Sequence, residues 1–270
     1  MSTLLKNASI FTKQGFRKQD VLISDHRVLF TDSIDNLTAD TIDTVYDLNG
    51  LFMIPGFVDV HVHLREPGFS YKETIRTGTD AAAHGGYTAV CAMPNLKPAP
   101  SSLANLQPEL EAIRKDALVH VYPYGTITEQ QTGRGALGKM EEIAPYVIAY
   151  SDDGKGMQDE ASMREAMQRA KNLDRMIVAH CEDERELVPG GCIHDGEYAR
   201  LHHHIGINSA SEWKQVERDV RLAAETGVRY HVCHVSTKES VEIIRAAKKA
   251  GTHVTAETGP HYLMFTDMDL

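Results

Sequence analysis

The stretch GFVDVHVHLREPG, residues 56–68, decides how this chain is read. Phe57, Val58, Val60, Val62 and Leu64 are apolar, the composition of a buried strand in an α/β protein. His61, His63 and Arg65 interrupt that run at a spacing of two. Side chains at i, i+2 and i+4 of a strand point to the same side, so one side is apolar and the other carries two imidazoles and a guanidinium. Burying such a row without partners is costly, and the pattern therefore points to something bound there.

Around this stretch the chain changes rhythm. Residues 1–52 hold short, partly alternating segments (LLKNASIF, DVLISD, RVLFTDS, TVYDLNG) separated by Asn, Asp and Gly, which predicts a small β-layer, the N-terminal half of a β-sandwich domain. From residue 53 to 270, short apolar strands alternate with longer amphipathic helices, as in parallel βα units. Strands are expected at 53–62, 87–93, 118–124, 146–151, 175–180, 230–235 and 252–258. Asp159 is the expected N-cap of the helix through MREAMQRAKNL, Gly85-Gly86 a helix stop, and Ser236 with Glu239 a capping box. Seven strands of this kind fit an α/β fold of the (β/α)8 TIM-type barrel, with the eighth strand expected to be missing and the barrel incomplete at its C-terminus.

Bulk properties narrow the function. The formal net charge of −10 argues against nucleic acid or an anionic membrane as partner. No apolar run of about 18 residues suggests a membrane span, and MSTLLKNASIFTKQG has no signal-peptide pattern. The 4 cysteines in 270 residues do not make a disulfide framework, so the reducing cytoplasm is the expected compartment. The 14 histidines are the unusual count.

Their positions matter more than their number. Active sites of βα barrels lie at the C-terminal ends of the strands. His61 and His63 lie late in the first barrel strand, Asp152 and Asp153 follow the fourth, and His180 and His234 end the fifth and sixth. Imidazole and carboxylate are ligands that zinc accepts at about 2.0–2.2 Å. Five of them suit two metals about 3.5–4 Å apart sharing one carboxylate, an arrangement that acidifies a bridging water and polarises a carbonyl. That chemistry is amide or imide hydrolysis. His231 is expected to face the helices, Cys181 and Cys233 to be turned away from the site, and His202, His203 and His204 to be solvated; His84 and His120 are assigned no role.

HVHLREPG, MPN at 93–95, SDDG at 151–154, AHCED at 179–183 and HVSTK at 234–238 together resemble the dihydroorotases of the amidohydrolase superfamily. The resemblance implies a zinc enzyme that interconverts N-carbamoyl-L-aspartate and L-dihydroorotate in pyrimidine biosynthesis, with two Zn²⁺ per site. It makes His61, His63, His180 and His234 metal ligands, Asp153 the bridging ligand, and Arg65 and Asn95 the holders of the substrate carboxylate. It places the proton-moving aspartate on an eighth strand that these 270 residues do not contain. It also implies aspartate transcarbamoylase as a partner, and a homodimer is a further expectation. Two alternatives stand beside it: a non-catalytic barrel scaffolding aspartate transcarbamoylase, and an allantoinase or hydantoinase. Relatives of the latter kind bridge their metals with a modified lysine, for which Lys155 is the nearby candidate; Arg65 favours a substrate with a free carboxylate.

Overall fold

The computed structural model describes residues 2–31 and 42–270, and the end of the third expected strand, at 32–33, lies outside them. The chain forms two compact units, Met1–Phe57 and Val58–Leu270. In the first, β1 (Ser2–Thr12), β2 (Gly15–Ser24) and β3 (Arg27–Thr31) form an antiparallel meander, with β4 (Thr44–Asp47) and β5 (Phe52–Met53) parallel to β1. Ala8, Ile10 and Val21 make its small core. The β2–β3 turn is made by Asp25 and His26, both left-handed at φ 51° and 60°, the backbone a tight hairpin needs.

The second unit begins at β6 (Phe57–Val62) and repeats strand and helix. It continues with α1 (Ile75–His84), β7 (Tyr87–Ala92), α2 (Leu103–Asp116), β8 (His120–Gly125), α3 (Met140–Ile143), β9 (Ala149–Tyr150), α4 (Glu160–Asn172) and β10 (Met176–Ala179). After a small parallel ribbon, β11 (Ile193–His194) and β12 (Gly206–Ile207) flanking α5 (Glu197–His202), come α6 (Ala210–Thr226), β13 (Arg229–Val232), α7 (Lys238–Lys249), β14 (Val254–Ala256) and α8 (Pro260–Met264). Seven parallel strands pair in the order β6-β7-β8-β9-β10-β13-β14 and curl into a partial barrel, all seven at the expected places. The ribbon was not expected from sequence; strands of two residues leave no alternation to detect.

The curl has two differently packed faces. Outside, Tyr150, Met163, Met167, Ile177, Val216, Tyr230 and Val232 are buried among the helices, each large side chain contributing about 1.5–3 kcal/mol. Inside, Cys91, Met93, Tyr124, Ala149, Val178 and Cys233 fill the lumen, and the Tyr124 hydroxyl donates to Val60 O at 2.9 Å. Alternation on β13 therefore sends Tyr230 and Val232 outward, and it corrects two expectations: His231 and Cys233 face the lumen.

Helix ends follow local chemistry. Asp159 caps α4 by accepting from Ser162 N at 2.7 Å, and α1 stops at Gly85, with Gly86 at φ 81°. The α7 cap is Thr237, one residue later than expected, accepting from Ser240 N. Ser236 instead hydrogen-bonds Glu212 of α6. Among the described residues no helix is long and apolar enough to cross a membrane.

Candidate metal centre

His61 belongs to β6 and His63 follows it directly. Val62 and Leu64 pack outward against Ile75 and Val90, which turns both imidazoles toward the mouth of the curl. After β9, the SDDG turn buries two adjacent carboxylates, Asp152 and Asp153. Asp152 accepts from the backbone N–H groups of Ile127 (2.8 Å), Thr128 (3.0 Å) and Gly133 (3.0 Å) and from the Thr128 hydroxyl. It is an internal post that fixes the turn. The carbonyl of Asp153 is held by Asn95 Nδ2 at 2.8 Å and Gln131 Nε2 at 2.9 Å, which leaves its carboxylate to the mouth.

There the expected ligands meet. His61 Nε2 lies 3.4 Å and His234 Nε2 3.9 Å from Asp153 Oδ1, and His63 Nε2 lies 3.7 Å from Oδ2. His180 Nδ1 is 3.1 Å from His234 Nε2. The three N···O separations exceed the 2.7–3.2 Å of a good hydrogen bond. They match two donors each about 2.0–2.2 Å from one shared ion. The donor atoms of His61, Asp153 and His234 all lie within 4.8 Å of one another. Three imidazoles gathered round a buried carboxylate at such spacings, with a fourth against His234, fit a divalent metal. His234 joins them through a left-handed backbone, φ 34°, which costs a non-glycine residue energy and is held by its surroundings.

The carboxylate and the imidazoles shift one another's protonation. Burial pushes the Asp153 carboxyl up, but the neighbouring His234 and His61 imidazoles and the charges of His61 and His63 hold it well below the usual range. Burial lowers His61, yet Asp153 and Glu257 outweigh it and raise the imidazole to about 9. His63 is lowered, chiefly by burial. Arg65, just past the strand at φ 60°, bears on His63 by its charge, and among the described residues no acid pairs with its guanidinium. Asn95 stands beside Asp153, engaged by the bond just described. Lys155 is exposed in the loop beyond the turn. His84 and His120 are exposed, and His202 and His204 stack with Tyr198 at the end of α5, away from these ligands.

Two acids at the mouth were not foreseen. Glu182 Oε2 lies 3.9 Å from His180 Nε2, and Glu257 Oε1 lies 2.5 Å from His61 Nδ1. Glu182 follows the fifth strand, where an acid reads from sequence as a solvated loop residue, while Glu257 falls inside the expected strand 252–258 and lies just past the observed β14.

Comparison with known proteins places this geometry. The family described as Dihydro-orotase-like matches residues 50–240. Dihydroorotase of Anoxybacillus flavithermus is 46% identical over 271 residues, covering 100% of this chain and 63% of its own length. That of Enterococcus faecalis is 47% identical over 272 residues, with the same coverages, and that of Fusobacterium nucleatum 45% over 267 residues, covering 99% and 62%. The chain thus spans 62–63% of the length of these curated relatives. Among solved structures, the L-hydantoinase (dihydropyrimidinase) of Arthrobacter aurescens superposes with a TM-score of 0.82 at 22% identity, over 99% of this chain and 60% of that one; at that identity the likeness concerns the fold. With its family match running through the strands that carry His61, Asp153, His180 and His234, this chain belongs to the dihydro-orotase-like family.

Proposed function

We propose that this chain carries the metal-holding and carboxylate-binding parts of a cyclic amidohydrolase whose substrate pair is L-dihydroorotate and N-carbamoyl-L-aspartate. The observation that carries the reading is the mouth itself: three imidazoles around the buried Asp153, His180 beside the His234 ring, and Arg65, which among the described residues pairs with no acid, next to His63. His61, His63, Asp153, His180 and His234 would hold the metal, Asp153 by its position serving both halves of the set. Zinc is the ion whose ligand preferences these donors match. A zinc pair in that place would supply Lewis acidity toward a ring carbonyl and acidify a water.

The chain's own residues supply orientation. Arg65 offers a planar fork of donors suited to a carboxylate, from a partly buried position where such a pair is worth more than in open water. Asn95 Nδ2 donates to Asp153 O at 2.8 Å, and the second N–H of that amide is the donor it offers a carboxylate, while its buried Oδ1, an acceptor, bears on His63. Dihydroorotate bears a free carboxylate, whereas hydantoin and allantoin do not, and Arg65 therefore favours the first. A place in pyrimidine biosynthesis belongs to the same proposal, supported by identity to the dihydroorotases, and aspartate transcarbamoylase as partner, a homodimer and a cytoplasmic location are carried with it as expectations from sequence.

The test is ligand binding and turnover by the zinc-loaded chain. N-carbamoyl-aspartate should bind and compete with dihydroorotate, and Arg65→Gln should weaken both by about tenfold or more, a lost charge-assisted bond. Hydantoin bound as tightly as dihydroorotate, with no effect of Arg65→Gln, would sink the substrate assignment in favour of a hydantoinase.

A further inference from the structure

We infer that Glu257 is a positioning residue of the metal centre: by accepting the Nδ1 proton of His61 it commits the Nε2 atom of that imidazole to the ion. The inference rests on the metal reading above and adds a residue to it. The two nitrogens of His61 face different acids: Nδ1 lies 2.5 Å from Glu257 Oε1, while Nε2 lies 3.4 Å from Asp153 Oδ1. The first distance is that of a short hydrogen bond and the second is not. An imidazole with its Nδ1 proton held has its Nε2 lone pair free for a ligand.

Glu257 is itself firmly placed. Its N–H donates to Val232 O at 3.0 Å and its carbonyl accepts from Val235 N at 2.8 Å, stitching it to β13. Its second oxygen, Oε2, lies 3.4 Å from His231 Nε2, and Thr255 Oγ1 holds the far side of that ring at Nδ1, 2.8 Å away. Thr255, His231, Glu257, His61 and the centre form one line. His61 sits on β6 and Glu257 just after β14, the two outermost strands of the sheet, so the line spans the opening of the curl.

A different use of the same atoms has to be weighed. His61, Cys233 and Glu257 also have donor atoms within 4.8 Å of one another, a set that could hold a cation of its own. Distance decides against it. Two ligand atoms 2.5 Å apart, each about 2.0–2.2 Å from one ion, would subtend far less than a tetrahedral angle. A carboxylate that orients a ligating histidine is instead worth about 10–100-fold in metal affinity.

The experiment uses the whole 270-residue chain. Zinc affinity is measured by competition with a chromophoric chelator for the wild type, Glu257→Ala, Glu257→Gln and Cys233→Ser, and the metal-free melting temperature is recorded for each. Long-range ¹H–¹⁵N spectra of the zinc-loaded wild type, with His61→Asn for assignment, report which His61 nitrogen carries the proton. Glu257→Ala should weaken zinc binding by about 10–100-fold, and Glu257→Gln, which keeps an acceptor oxygen, by less. Both Glu257→Gln and Cys233→Ser should melt, without metal, within a few degrees of wild type, Cys233→Ser should bind zinc normally, and His61 should be protonated at Nδ1. Unchanged affinity in both Glu257 variants, or zinc on His61 Nδ1, overturns the inference and leaves the metal centre standing. Loss of one zinc equivalent in Cys233→Ser overturns it in favour of the separate cation site. A wild type that takes up no zinc overturns both readings together. If Glu257→Ala does not fold, Glu257→Gln and the wild-type spectra still decide.

Discussion

Two buried polar clusters lie on opposite faces of the same curled sheet. Behind it, Asp219 of α6 is fully buried and pairs with Arg218 at 2.7 Å while accepting from the Tyr230 hydroxyl at 2.9 Å. Arg218 also donates to Met157 O at 2.6 Å, and Cys181 Sγ reaches Tyr230 Oη at 3.4 Å. At the mouth, Asp153 is nearly as buried, yet its carboxylate meets three imidazoles only at 3.4–3.9 Å. The first cluster closes on itself and serves the fold. The second leaves its carboxylate without a well-formed bond to the imidazoles around it, as the metal centre proposed above would require. Burial and charge are common to both; saturation separates them.

The contrast can be broken from either side. Asp153→Ala removes the carboxylate common to the ligands, and tight zinc binding should be lost, by at least about 100-fold in a chelator competition, since a direct ligand outweighs the supports beyond it. The metal-free melting temperature should fall only modestly at neutral pH, by less than in Asp219→Ala, since the depressed Asp153 carboxyl and the raised His61 imidazole each favour the folded state there. Asp219→Ala should shift the balance the other way: urea unfolding should show about 3 kcal/mol lost, as the half-buried Arg218 loses its carboxylate and the buried Tyr230 hydroxyl its acceptor, while the folded fraction keeps its zinc affinity. Equal effects of the two substitutions on both readouts would erase the distinction.

Glu109 sharpens the comparison, since it belongs to neither cluster. It is buried on α2, its Oε2 has no hydrogen-bond partner among the described residues, and burial raises its pKa well above the ordinary 4.5. Its folded-state pKa thus exceeds the unfolded one. The stability it contributes is present below about pH 4.5 and lost as pH rises toward the raised value. Glu109→Gln should stabilise the chain by roughly 1–3 kcal/mol at pH 8 and by less at pH 5. Melting curves at the two pH values check this, and parallel shifts would contradict it. The smallest effect concerns a terminus: Thr237→Ala should cost about 1 kcal/mol through the lost α7 cap, measured by urea unfolding.

Much of this was legible in the residues, for physical reasons. Strand–helix alternation marks a parallel sheet because crossovers need helices, and all seven strands lie where apolar runs end at polar rims. HVH was informative because alternation places His61 and His63 on one side, and the structure brings both to Asp153, His180 and His234. His231 was misplaced because its facing was counted back from His234. The backbone turns over at His234, φ 34°, so the parity of the strand does not carry through it. Glu257 was invisible for a different reason. Its partner His61 is 196 positions away, and no local pattern encodes a contact between the first and last strands of a sheet. The Ser236 cap failed by one residue, where Glu212 of a neighbouring helix claims that hydroxyl.

The 196-position span also bears on the order in which the protein matures. Closing a loop of n residues carries a chain entropy near (3/2)RT ln n, about 5 kcal/mol at that length against about 3 kcal/mol for the 24-residue separation between Thr128 and Asp152. The Asp152 turn can therefore assemble early, from a short piece of nascent chain, and wait. The clasp from His61 to Glu257 closes only after six intervening βα crossovers have stacked. If the proposed set holds an ion, its grip is completed only when the first and last strands of the sheet are both in place, at the end of folding rather than at its start.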